Sequence, residues 1–156
     1  RTSYYKDVVS RAHLRVRCIH TSETSLLLAN MALTSLCEKA LLRVLGIREL
    51  DVSNNELTDL EGIQILYGLQ HMKADNCRLC SLTALQSVTS LKTLSIRGNG
   101  MTKLPQLLQP LTRLPVLESV DITENPGATS LDSKGLQELQ ALFTASSAGE
   151  FRILCL

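Results

Sequence analysis

The chain has 156 residues, 44% of them apolar and 20% charged, with 16 basic and 15 acidic side chains and a formal charge of +1. That mixture suits one folded domain with a sizeable core and excludes general disorder. A balance so near neutral gives no electrostatic case for nucleic acid or an anionic membrane as a direct partner. Aromatic residues are only 3%, without tryptophan, so leucine must build the core.

The first residues show no secretory-signal pattern. The most apolar region, Thr24 to Cys37, runs 14 residues without a charge, too short for a membrane span. Five irregularly spaced cysteines and no Asn-x-Ser/Thr site point to a reducing compartment, so the expected location is intracellular.

In chain order, Arg1 to Ser10 is polar and carries Tyr4 and Tyr5. His13 to Ile19 alternates, with Leu14, Val16 and Cys18 on one side and Arg15 and Arg17 on the other, which predicts a strand. Thr21 to Leu45 is expected to be helical: Ser22 can cap it, Glu23 and Arg43 suit its two ends, and Gly46 stops it. Its apolar residues exceed one stripe, so part of this helix is a candidate second contact with a partner.

A repeat follows. Ile47, Leu50, Val52, Asn55 and Leu57 fit the pattern L-x-x-L-x-L-x-x-N-x-L. The pattern returns at Leu69, Met72, Ala74, Cys77 and Leu79, then at Leu91, Leu94, Ile96, Asn99 and Met101, then at Leu117, Val120, Ile122 and Asn125. The corner positions 55, 77, 99 and 125 are spaced by 22, 22 and 26 residues. A five-position pattern held in phase defines an α/β leucine-rich repeat solenoid with a parallel concave sheet. Steps of 22 residues leave room on the convex side only for 3₁₀ turns or short helices. The longer third repeat carries Pro105, Pro110 and Pro115.

Asp132 can cap a last helix, Ser133 to Ala145, with Leu136, Leu139, Leu142 and Phe143 facing in. A final strand at Phe151–Leu156, with Phe151, Leu154 and Leu156 inward, would complete a helix–strand cap. One continuous domain is therefore expected, with an amino-terminal strand and helical cap over 1–46, four repeats over 47–130 and a carboxyl-terminal cap over 131–156.

These residues resemble the intracellular leucine-rich repeats of the 22-residue class, typified by the regulatory subunit of protein phosphatase 1. The resemblance covers Ile47 to Leu156. A longer last step and an Asn125-Pro126 corner before a capping helix are similar to the ending shared by axonemal dynein light chains, the spliceosomal A-prime protein and several cilia- and flagella-associated proteins. Lys6 to Leu14, KDVVSRAHL, is also similar to the opening of one of the last group. The resemblance implies a protein-binding scaffold in the cytoplasm, with the cytoskeleton, cilium or flagellum as its setting. The alternative it implies is an RNA-processing subunit that acts through a protein partner.

No enzyme is expected. Cys77-Arg78-Leu79-Cys80 invites a zinc or redox reading, but Cys77 falls on the corner position and a metal would need two more ligands. His13, His20 and His71 have no matching acid or nucleophile, and Arg97-Gly98-Asn99-Gly100 is a repeat corner and not a phosphate loop. Neither cofactor nor metal is expected. Residues between the core positions should project from the concave face. One row is Glu49, His71, Thr93 and Ser119, continued by Ile153; the next is Asp51, Lys73, Ser95 and Asp121, continued by Cys155. Ser53, Asp75, Arg97 and Thr123 make a third row. A protein partner is expected on this face, with Arg97 its foremost contact, then His71 and Asp121.

Overall fold

Leu50, Met72, Leu94 and Val120 hold the same place in successive repeats, and the backbone pairs them side by side in parallel strands. The computed structural model describes residues 24–144 and 151–155. Its strands are β1 (Ser25–Leu27), β2 (Glu49–Asp51), β3 (His71–Lys73), β4 (Thr93–Ser95), β5 (Ser119–Asp121) and β6 (Arg152–Leu154), joined in that order in one six-stranded sheet. All neighbours are parallel. Each strand is only three residues long, but the ladder continues past it. The N–H groups of Val52, Ala74, Ile96 and Ile122 donate to the carbonyls of Lys73, Ser95, Asp121 and Leu154 at 2.8–2.9 Å.

Parallel strands need a return path across the back. Here it is made of 3₁₀ turns at Ile63–Ile65 and Thr83–Ser87, as the 22-residue step requires. Helix α1 (Glu38–Leu41) runs into a 3₁₀ turn at Leu42–Val44 on the convex side of the β1 repeat. The long third repeat fits helix α2 (Leu104–Leu108) and a further turn (Gln109–Arg113), with Pro105 and Pro110 near their starts, where a missing N–H costs nothing. Leu57, Leu60, Leu66, Leu82, Leu85 and Leu104 are fully enclosed between sheet and arcs. Each such burial is worth ~1.5–3 kcal/mol. After β5 come α3 (Pro126–Thr129) and α4 (Ser133–Thr144). The Gly135 N–H donates to Asp132 Oδ1 at 2.7 Å, the expected cap. Leu139 and Phe143 are buried, and Phe143 stacks on Phe151 with ring centroids 4.1 Å apart.

Three expectations need correction. No helix spans the described part of 21–45: Ser25–Leu27 is a strand, and helix is confined to α1 and the turn behind it. Leu26 and Leu28 are the core pair of an additional repeat, Leu26 beside Leu50, so the sheet runs through the expected boundary at 46/47. The helical cap, and with it a second contact through a 21–45 helix, gives way to a repeat. The predicted strand at 13–19 lies outside the described residues. Second, β6 is shifted by one residue. Ile153, not Leu154, stands beside Val120 and packs against the core, while Leu154 is 51% exposed. Third, Leu142 faces outward at 42% exposure.

Candidate partner-binding face

The corner asparagines tie together the repeats that carry this face. Asn55, Asn99 and Asn125 are buried, and each turns its side-chain amide back on the repeat before it. Asn55 Oδ1 accepts the N–H groups of Met31 and Leu33, both at 3.0 Å, while Nδ2 donates to the carbonyls of Leu28 and Val52. Asn99 Nδ2 donates to Ala74 and Ile96, and Asn125 Nδ2 to Ile96 and Ile122, all at 2.8–2.9 Å. Backbone groups that the corner removes from the sheet ladder are thereby satisfied.

Cys77 stands in the same column. Its Sγ lies 3.4 Å from the Val52 carbonyl oxygen, and the N–H groups of Asn55 and Leu57 approach the sulfur. Burial pushes its thiol above the ordinary range, with those two N–H groups pulling the other way. Cys80, three positions on, is exposed. The C-x-x-C is thus a corner plus a surface cysteine. Among the described residues, no cluster of three His, Cys, Asp or Glu side chains could hold a metal.

The concave face follows the expected rows across β2 to β5: Glu49, His71, Thr93 and Ser119 in one, Asp51, Lys73, Ser95 and Asp121 in the next. At the ends the rows gain Ser25 and Leu27 from β1 and Arg152 and Leu154 from β6, in place of the expected Ile153 and Cys155. With Ser25 and Leu27, the two rows of β2 to β5 floor an open concavity of about 540 Å³.

The third row behaves differently. Ser53 and Thr123 are only 7% and 8% exposed, so they do not project as expected. Its backbone N–H groups are all met by side chains: Ser53 by Asp51 Oδ1 at 2.9 Å, Asp75 by Ser53 Oγ at 3.1 Å, Arg97 by Asp75 Oδ1 at 3.0 Å and Thr123 by Asp121 Oδ1 at 3.0 Å. Asp51, Ser53, Asp75 and Asp121 therefore cap the strand ends as well as line the face. Ser95 joins them through a 2.5 Å bond from its Oγ to Asp75 Oδ1.

What remains directed outward is a smaller set. Glu49 accepts a hydrogen bond from Ser25 Oγ at 2.7 Å, and His71 Nδ1 shares one with Thr93 Oγ1 at 2.8 Å. The Lys73 ammonium and the Ser119 hydroxyl are bonded to nothing among the described residues. Arg97 lies at the β4–β5 side, its guanidinium hydrogen-bonded to Glu124 with Nε 4.0 Å from Asp121 Oδ2. Those acids raise its already high pKa, Glu124 most of all. Glu124 does not stand out in the repeat pattern, which marks the neighbouring corner, Asn125. Asp-x-Ser and Asp-x-Thr, at 51–53 and 121–123, are the sequence signal of side chains bonding the backbone two residues on.

Comparison with solved structures finds an internalin C2 from Listeria monocytogenes, at TM-score 0.61 and 22% identity over 83% of this chain and 50% of that one. An internalin F from the same organism aligns over 97% of this chain and 54% of its own, at TM-score 0.47 and 15% identity. This chain spans about half the length of the structures it matches. No family model and no curated protein matches it. The internalin C2 likeness is one of fold, and with the six parallel strands and short convex turns it establishes an α/β leucine-rich repeat solenoid.

Proposed function

We propose that this chain is a non-catalytic protein-interaction module that receives its partner on the concave face. The observation that carries the reading is the exposed floor of β2 to β5. Among the described residues Lys73 and Ser119 are left unbonded there, while Asp51, Asp75 and Asp121 are tied to the backbone. A polar, curved sheet with fixed backbone and a few unengaged side chains suits binding centred on a few residues. The buried, high-pKa Cys77 supports the non-catalytic assignment, since burial disfavours the reactive thiolate.

The intracellular setting, and the cytoskeletal or ciliary one within it, is supported by the 22-residue step and the Asn125-Pro126 ending. The test is affinity capture from lysate with wild type, a concave variant (Lys73→Glu with Ser119→Arg) and a convex control (Gln86→Arg). Proteins retained by wild type and control but lost by the concave variant are expected. Equal retention by all three overturns the assignment.

A further inference from the structure

One column of the solenoid has positive φ in each repeat from β1 to β5: Asn30 (59°), Asn54 (56°), Asn76 (50°), Gly98 (61°) and Glu124 (60°). Asparagine and glycine adopt this left-handed conformation readily, whereas a glutamate does so at a cost. Backbone preference alone therefore argues against glutamate at 124. Its carboxylate nevertheless reaches across to the Arg97 guanidinium, while Asp121 approaches Nε and Asp75 holds the Arg97 backbone N–H. Gly98 is packed against Asn76 Oδ1, and Glu124 Oε2 lies in ordinary contact distance, 3.8 Å, of where a Cβ at 98 would sit. Glu124 is 58% and Arg97 43% exposed. An ion pair so exposed adds little to stability. A strained backbone kept without a gain in stability points to function.

We propose that Glu124 is a positioning residue of the partner-binding surface, fixing the Arg97 guanidinium at the β4–β5 side of the concave face. The proposal rests on the concave-face reading above. Asp75, Asp121 and Glu124 together outweigh the charge of Arg97. A further carboxylate, from a partner, is therefore disfavoured there, and the guanidinium's remaining N–H groups suit an uncharged acceptor such as a partner's peptide carbonyl.

Two variants test it. Glu124→Asn has the side chain that three other repeats carry at this φ, and Glu124→Gln keeps the length without the charge. Phenylglyoxal modification of Arg97, followed by peptide mass spectrometry, reads the guanidinium directly and needs no partner. Modification several-fold faster in Glu124→Asn, intermediate in Glu124→Gln, with thermal midpoints at or above wild type, is the expected result. Proteins captured through Lys73 and Ser119 should bind Glu124→Asn several-fold more weakly. An unchanged Arg97 rate in Glu124→Asn overturns the proposal, whatever the midpoint. If no captured protein depends on Lys73 and Ser119, the concave-face reading fails by itself, and the Arg97 rate still decides whether Glu124 holds Arg97.

Discussion

The side-chain oxygen of Asn125 accepts the backbone N–H of Asn99 at 2.9 Å, so the corner of one repeat holds the corner of the repeat before it. The same oxygen accepts the Met101 N–H at 3.1 Å, and Asn99 in turn accepts the Leu79 N–H at 3.2 Å. Side-chain amides thus tie successive repeats together along the solenoid. Asn125 is 0% exposed, and Asn125→Ala strands buried groups on both sides of the corner. We expect a loss of ~2–4 kcal/mol by urea denaturation, from several unpaired backbone groups. A loss near zero would mean that water replaces the amide and that the ladder is incidental.

Cys77 interrupts that ladder with a weaker donor. Cys77→Asn places an amide where Asn99 and Asn125 have one, within reach of the Val52 and Ala74 carbonyls by analogy with its neighbours. The expected change is a gain of about 1 kcal/mol, seen as a higher urea midpoint with an unchanged slope.

The raised thiol pKa of Cys77 also has a signed consequence. A group whose folded pKa lies above its unfolded value contributes fully below the unfolded pKa, roughly 8.5 for a thiol, and loses that contribution as pH rises through the folded pKa. Wild type should therefore lose more stability than Cys77→Asn between neutral and alkaline pH. Equal losses would place the alkaline dependence elsewhere. In the folded protein, alkylation followed by mass spectrometry should label exposed Cys37 and Cys80 well before Cys77.

Within one strand, Leu94 and Ser95 point to opposite faces. Leu94 is buried at 2% and Leu94→Ala should cost ~2–5 kcal/mol. Ser95 bonds the acid that holds the Arg97 backbone, so Ser95→Ala should cost about 0.5–1.5 kcal/mol. Comparable losses at the two sites would contradict the strand register.

From Ile47 to Asn125 the register was legible because three repeats carry the same five positions and a fourth carries four of them, and the pairing of Leu50, Met72, Leu94 and Val120 follows it. The β1 repeat was not. Its corner residue is Met31 rather than asparagine, and a leucine-dense stretch without charge satisfies a helical pattern as easily as an alternating one. The structure explains why Met31 suffices: Asn55 supplies the amide for that corner from the next repeat. The β6 slip has a similar origin, since Phe151 to Leu156 offers apolar residues in both phases. On the face itself, sequence located the rows but not the division of labour. Which oxygen caps a backbone N–H and which meets solvent depends on corner geometry beyond periodicity, as Asp75 and Glu124 show.

Partner binding on the concave side is tested by placing a photo-crosslinking residue at Ser119, on the floor, or at Gln86, in the convex turn Thr83–Ser87, and identifying adducts in lysate by mass spectrometry. A discrete protein adduct from position 119, suppressed by adding Lys73→Glu, and none from position 86, is the expected result. The same adduct from position 86 alone, or from both positions with Lys73→Glu having no effect, would contradict it.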